Sequence, residues 1–161
     1  MNKLPNDEKL WTEFRQYFDR FVINDIEKAL NAGLEVGVII LTAIGIDSLG
    51  GYYDGYPADK VHFRNFINEF MPSYATYDED IWVCIRNGLA HDYVITRNPS
   101  TNRTFEFSRD EGQPHLVPTS SDPNTIIFNR ASFARDFLEA RRKYFEKVEN
   151  DKPLWDNAMR R

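Results

Sequence analysis

The sequence predicts a mainly α-helical fold, in which four or five helices form an up-and-down bundle with a small β-hairpin inserted at about residues 92–128. Apolar residues recur at helical spacing over most of the chain, and turn-forming residues separate these stretches. Only one region alternates polar and apolar residues, as a strand does. The chain has 161 residues and no obvious linker, so we expect a single domain over residues 1–161.

The first two predicted helices cover residues 7–31 and 34–49. In the first, apolar residues repeat at intervals of three or four, and Gly33 marks its end. The second is apolar on almost every side over residues 36–46. Such a helix is typical of the centre of a bundle or of a contact with a partner subunit. Asp47 is the one acid near its end.

Two further core helices are predicted at residues 58–71 and 77–91, after Gly50-Gly51 and a turn at residues 52–57. The fourth helix starts with three acids, which suit the positive end of the helix dipole. Ile81, Ile85 and Leu89 then recur every four residues. We expect this stripe to face the core.

After residue 91 the pattern changes to that of short strands. Residues 92–97 and 103–108 are predicted to pair as a hairpin across the turn-forming segment Asn98–Asn102. Short strands are also expected near residues 115–117 and 125–128. A last core helix is predicted at residues 130–150, and Pro153 separates a short tail that contains Trp155.

Composition excludes several classes of protein. The chain has 20 Lys and Arg residues and 25 Asp and Glu residues, which gives a net charge of −5. We therefore do not expect a protein that coats nucleic acid without sequence preference, because such proteins are basic. The single cysteine, Cys84, cannot form an internal disulfide and is expected to be buried. No Cys/His cluster has the spacing of a zinc site. We therefore expect no metal and no cofactor.

The chain is expected to be cytoplasmic and not to enter a membrane. Its first residues contain no apolar segment like that of a signal peptide. The longest nearly apolar run, residues 36–46, is shorter than the about 20 residues that a spanning helix needs.

The most informative segment is Arg86-Asn87-Gly88-Leu89-Ala90-His91. Asn87 and His91 are four apart and share a helix face. Arg86 is five residues before His91, which places the two side chains about 140° apart around an α-helix. They can meet only if the helix ends near Gly88, or if two subunits bring their motifs into one cleft.

These residue types fit phosphate chemistry. A histidine with a near-neutral pKa can take a proton from a ribose 2′-hydroxyl, and a guanidinium can bind the phosphate and stabilise its developing charge. Asn87 could orient His91 or donate to phosphate. The structural alternative is that Arg86 and His91 only cap the carbonyl end of a helix.

The segment from Asp80 to Tyr93 resembles the signature of the HEPN superfamily, an arginine followed after four to six residues by a histidine. The resemblance implies an all-helical core and a metal-independent endoribonuclease that leaves 2′,3′-cyclic phosphate ends. It implies catalytic roles for Arg86, Asn87 and His91, with Asp47 on the preceding helix as a supporting residue. It also implies RNA as substrate, a homodimer, and a toxin or abortive-infection effector with an antitoxin or nucleotidyltransferase partner.

Three residues near the motif are further candidates. Arg97 and Arg103 belong to a locally basic segment, residues 86–109. It contains four arginines and only two acids, Asp92 and Glu106. They are candidate RNA contacts, or charges on a solvated hairpin edge. Tyr93 could stack on a base, although packing in the hairpin is the favoured interpretation.

The sequence is compatible with two other functions. The same fold can be a non-catalytic RNA- or nucleotide-binding module or the helical dimerisation partner of an antitoxin, because a fold does not determine an activity. A helical scaffold with a capped helix is the third alternative.

Overall fold

Helices form most of the chain in the computed structural model, which describes residues 5–108 and 112–161. Arg109 and the first residues of the N-terminal segment lie outside the described residues. The helices are α1 (Pro5–Phe18), α2 (Asn24–Asn31), α3 (Glu35–Asp54), α4 (Lys60–Phe70), α5 (Asp78–Asp80), α6 (Ala90–Asp92), α7 (Arg130–Asn150) and α8 (Lys152–Arg160).

The mainly helical fold is confirmed, and the five predicted helices each have a counterpart. Two of them contain π-helical turns, at Asp19–Ile23 between α1 and α2 and at Ile81–Leu89 between α5 and α6. A 3-10 turn, Pro72–Tyr77, precedes α5. The start of α7 is set by Asn129, whose side chain accepts hydrogen bonds from the first backbone N–H groups of the helix.

Helix α3 is the centre of the bundle and packs against α2, α4, α7 and α8. It is longer than predicted, because Gly50 and Gly51 lie inside it and not in a turn. A side chain at Gly50 would come within 2.5 Å of the His62 carbonyl oxygen. The glycine pair thus serves close helix packing, and the turn is displaced to Gly55, which has a positive φ of 73°.

Helix α3 is longer than the apolar run of residues 36–46, which was judged too short to span a membrane. The helix has 20 residues and a mean hydropathy that would allow it to cross a membrane. However, 56% of that apolar window is buried against the rest of the fold. A central core helix shows this pattern, since it must be apolar on all sides.

The predicted β-hairpin is wrong. Residues 93–98 form no strand, and β1 (Thr104–Ser108) pairs in parallel with β3 (Thr125–Asn129). The two-residue β2 (Val117–Pro118) pairs antiparallel with β3, giving the order β1-β3-β2. Phe105 in β1 and Phe128 in β3 are buried, with ring centroids 4.9 Å apart. Burial of these rings against the bundle accounts for the non-local pairing.

The C-terminal tail is also more ordered than predicted. Residues 152–160 form α8, with Leu154 and Trp155 buried against the bundle. Asp151 caps this helix by accepting the Leu154 N–H at 3.2 Å, and Pro153 lies in its first turn. Proline is tolerated there because the first helical N–H groups need no intrahelical acceptor.

Candidate functional site

A π-helix brings Arg86 and His91 together within one chain. From Ile81 to Leu89 the backbone is π-helical, and the Ala90 N–H reaches the carbonyl of Ile85, five residues back. In such a turn residues five apart are neighbours, as residues four apart are in an α-helix. Arg86 Nη1 lies 2.7 Å from His91 Nε2.

The expectation that the helix must end near Gly88 for these side chains to meet is therefore wrong. The helix continues to Asp92, and Gly88 has a different role. A Cβ there would lie 2.8 Å from the Val94 carbonyl oxygen and 3.1 Å from Thr96 Oγ1. Glycine lets the chain after the motif fold back against the helix, where any larger side chain would collide.

Asp47 holds Arg86 from the neighbouring helix. Its Oδ2 accepts from Arg86 Nη2 at 2.8 Å and from Nε at 3.2 Å. The Asp47 side chain is 12% exposed and that of Arg86 is 26% exposed, so the pair is partly withdrawn from water. Its other oxygen, Oδ1, is buried and has no hydrogen-bond partner among the described residues.

Two neighbours fix the orientation of the guanidinium further. Asn87 Oδ1 accepts from Arg86 Nη1 at 3.2 Å. The Arg86 guanidinium carbon lies 4.8 Å from the centre of the Trp82 ring, a cation–π contact. Trp82 was not singled out from the sequence, although its position four residues before Arg86 was a usable signal.

His91 is exposed at the end of the helix. Arginine only donates hydrogen bonds, so the Nε2 atom that faces Arg86 carries the lone pair and the proton of the neutral ring is on Nδ1. Nε2 thus presents its lone pair at the surface, directly beside the Arg86 guanidinium.

Tyr93 follows the helix in a left-handed conformation with φ of 55°. Its side chain is 77% exposed. The favoured interpretation, that Tyr93 packs inside a hairpin, is therefore wrong. Its ring stands free beside the motif, where an unpaired base could stack on it.

Asp80, which was not singled out from the sequence either, anchors the loop that follows the motif. This carboxylate is 1% exposed and accepts from Asn98 Nδ2 at 2.7 Å, from Arg103 Nη1 at 3.3 Å and from the Thr101 hydroxyl. The loop returns to the helix near the start of the π-helical segment. Its anchor and the close approach at Gly88 fix the chain beside the motif.

Arg97 and Arg103 do not join the cluster around Arg86. Arg97 donates to the Asn102 carbonyl at 2.6 Å and pairs with Asp122 at 3.0 Å. Arg103 pairs with Asp80 and lies 5.4 Å from the Tyr77 ring centre. Both guanidinium groups thus hold the loop and sheet together, and their assignment as RNA contacts stays a prediction.

Cys84 is buried, as expected, and burial raises the pKa of its thiol to about 11. It is therefore protonated at neutral pH and unsuited to act as a nucleophile. Over residues 5–108 and 112–161, no three His, Cys, Asp or Glu side chains lie close enough together to hold a metal ion.

Hydrogen bonds thus connect the three motif residues Arg86, Asn87 and His91 and the supporting residue Asp47 into one cluster. Comparison of the chain with protein-family models, with curated proteins and with solved structures finds no match.

Proposed function

We propose that this protein is a metal-independent endoribonuclease of the HEPN type. The observation that supports the proposal most is the contact of 2.7 Å between Arg86 Nη1 and His91 Nε2. A guanidinium that could bind phosphate and an imidazole nitrogen that could accept a proton lie side by side at the surface, where a polymeric substrate can reach them.

In the proposed reaction, the RNA phosphate takes the place of His91 as a partner of Arg86 Nη1. His91 Nε2 then accepts the proton of the ribose 2′-hydroxyl as the 2′-oxygen attacks phosphorus. The bond from phosphorus to the 5′-oxygen breaks, and that oxygen takes a proton from the imidazolium or from water. The products are a 2′,3′-cyclic phosphate and a 5′-hydroxyl.

Arg86 contributes by stabilising the negative charge that grows on the phosphate oxygens in the transition state. Asp47 keeps two of the guanidinium nitrogens fixed, which leaves Nη1 as the group turned towards His91. Preorganisation of this kind avoids a reorientation cost during the reaction. Asn87 is placed to take part because it shares Nη1 with His91.

We also propose that the active form is a homodimer. Val36 and Ile44, both in α3, are 40% and 49% exposed. Helix α3 also carries Asp47, and the exposed residues Tyr93 and Val94 follow the motif. Apolar surface on both elements of the cluster would bring two motifs near one another in a two-fold assembly.

The test is incubation of the purified protein with a mixed RNA pool in EDTA, with the ends of the products identified chemically. Cleavage that leaves 2′,3′-cyclic phosphates is expected for the wild type and is expected to be lost in His91→Ala. Absence of cleavage by the wild type, or equal cleavage by His91→Ala, would contradict the proposal.

Arg86 needs a matched control, because Arg86→Ala leaves the buried Asp47 carboxylate without its cation. The double variant Asp47→Asn/Arg86→Gln removes both charges and keeps polar side chains at both positions. It should fold with a stability closer to that of the wild type than Arg86→Ala, and it should still fail to cleave RNA.

A second candidate function is phosphate binding without cleavage. Each of the three guanidinium nitrogens of Arg86 already has a partner within the chain, which is typical of a fixed structural or binding group. RNA binding that is lost in Asp47→Asn/Arg86→Gln but survives in His91→Ala, with no cleavage by the wild type, would favour this function.

The biological role that the resemblance implies is that of a toxin or defence effector held by an antitoxin. Growth arrest on expression that is relieved by His91→Ala would support it. Arrest that persists in His91→Ala would show that toxicity does not depend on the proposed base.

A further inference from the structure

A cavity of about 390 Å³ lies where α8 closes against α1 and α3. Its volume falls within the range of cavities that bind small molecules. It is lined by residues of all three helices and is separate from the cluster around Arg86, none of whose members lines it. The cavity exists because α8 packs back on the bundle.

The walls of the cavity are mainly apolar and aromatic. Phe14 and Tyr52 pack against each other, with ring centroids 4.1 Å apart and an interplanar angle of 34°, and together form one aromatic wall. Leu10 and Met159 complete the apolar lining. Aromatic walls of this kind favour a ligand with a flat apolar body.

The rim of the cavity is cationic. Arg160 and Arg161 both line it, and no Asp or Glu side chain of the described residues does. Arg161 is held by the Tyr56 carbonyl oxygen at 2.5 Å and lies 5.0 Å from the Tyr52 ring centre. Over the described ranges, neither arginine has an acidic partner, although the whole chain carries a net charge of −5. Two arginine side chains beside an apolar cavity favour a ligand with negative charge.

We propose that this cavity binds a small organic anion. Its apolar body lies against Leu10, Phe14 and Tyr52, and its carboxylate or phosphate group meets Arg160 and Arg161. This binding is independent of the proposed cleavage reaction, because the two sites share no residue.

The test uses two fluorescent probes with the same rings. 8-Anilinonaphthalene-1-sulfonate carries a sulfonate, and N-phenyl-1-naphthylamine lacks it. Titration of the full chain should give one saturable site that binds the sulfonate about tenfold more tightly, the equivalent of about 1.4 kcal/mol. Equal dissociation constants for both probes would overturn the proposal, because they would show an apolar cavity without preference for charge.

Variants locate the site. Arg160→Gln/Arg161→Gln should weaken the sulfonate about tenfold and change the neutral probe less than twofold, as expected from the loss of charge-assisted contacts. Leu10→Glu should weaken the sulfonate by repulsion. Leu10 is 51% exposed, so this variant should fold. Val117→Glu, at an exposed position in β2, is the matched control and should change neither constant.

Competition separates the two ligand shapes that share this chemistry. Adenosine 5′-monophosphate offers a planar base with a phosphate, and decanoate offers a chain with a carboxylate. Displacement of the sulfonate probe by either one supports the proposal and identifies the shape. Failure of both at millimolar concentration, or an unchanged sulfonate constant in the arginine variant, would overturn it.

Discussion

Two histidines of this protein occupy opposite environments. His91 is exposed and has one ring nitrogen beside a cation, whereas both ring nitrogens of His115 are held inside the fold. The Asn129 N–H donates to His115 Nδ1 at 2.8 Å, so the ring proton is on Nε2, which donates to the Tyr74 hydroxyl at 2.7 Å.

The chain of hydrogen bonds at His115 continues outward. The Tyr74 hydroxyl donates in turn to Asp136 Oδ2 at 2.8 Å. These contacts tie the 3-10 turn, the sheet and α7 to one another. Burial lowers the pKa of His115 to about 4, so that the ring is neutral wherever the protein is folded near neutral pH.

The different hydrogen bonding of the two histidines suggests different roles in the protein. His115 has every polar atom of its ring satisfied by the protein and connects elements that are distant in sequence. His91 has a base-like nitrogen at the surface and connects nothing beyond its own helix. We therefore expect His115 to determine stability and His91 to determine activity.

The largest expected effect is on activity in His91→Ala. Removal of a general base typically lowers a cleavage rate by about 10²–10⁴-fold, while a surface substitution changes the free energy of unfolding by less than about 0.5 kcal/mol. Single-turnover cleavage and urea denaturation measure the two quantities. A loss of stability large enough to explain the loss of activity would contradict the contrast.

The next effect is on stability in His115→Ala. The change leaves the Asn129 N–H without its acceptor and the Tyr74 hydroxyl without its donor, so the free energy of unfolding should fall by about 2–4 kcal/mol. The cleavage rate per folded molecule should match that of the wild type. A selective loss of activity at unchanged stability would show that His115, and not only His91, acts in the reaction.

A smaller effect is expected from pH. The pKa of His115 is about 4 in the folded state and near 6.5 when unfolded, so the unfolded state binds more protons between these values. The stabilisation is therefore present above pH 6.5 and is lost as the pH falls towards 4. Since the ring is partly exposed, we expect a loss on the order of 1–2 kcal/mol, after discounting for solvent screening.

Urea denaturation at pH 7, 5.5 and 4.5 measures this dependence. The same series on His115→Gln separates His115 from the carboxylates of the chain. The variant should lose less stability over this range than the wild type does. An identical pH dependence for both proteins would assign the acid sensitivity to other groups.

The smallest effect is expected at Tyr93→Gly. Tyrosine in a left-handed conformation is strained, so glycine should raise the free energy of unfolding by about 0.5–1 kcal/mol. Loss of the exposed ring should raise the KM for RNA about fivefold if a base stacks on it, with little change in kcat. Tyr93→Asn, which tolerates the same backbone, is the control, and an unchanged KM would exclude stacking.

The helices were predictable because local patterns determine them. The stripe Ile81, Ile85 and Leu89 is buried as expected, and α7 has the predicted bounds of residues 130–150. The α8 helix was missed even though Asp151 and Pro153 give a capping signal before apolar residues. Its burial depends on the surface of the bundle, which the tail sequence does not encode.

The sheet and the geometry of the motif were not predictable in the same way. Turn residues at 98–102 suggested a local hairpin, but β1 finds its partner in β3, beyond a segment of more than ten residues. Periodicity also could not reveal the π-helical turns, because apolar spacing of three to four residues fits both helix types over one turn. The members of the cluster around Arg86 could be named from the sequence, but the way in which one chain brings them together could not.

The wide helical turn has a consequence for how the motif tolerates insertions and deletions. With four residues between Arg86 and His91, only a helix of i to i+5 periodicity stacks the two side chains. With three residues between them, an ordinary α-helix would do so. Spacer length and helix type are therefore matched, and a change of one without the other would turn the guanidinium and the imidazole to different faces of the helix. The number of residues between the arginine and the histidine thus indicates which type of helix carries the motif.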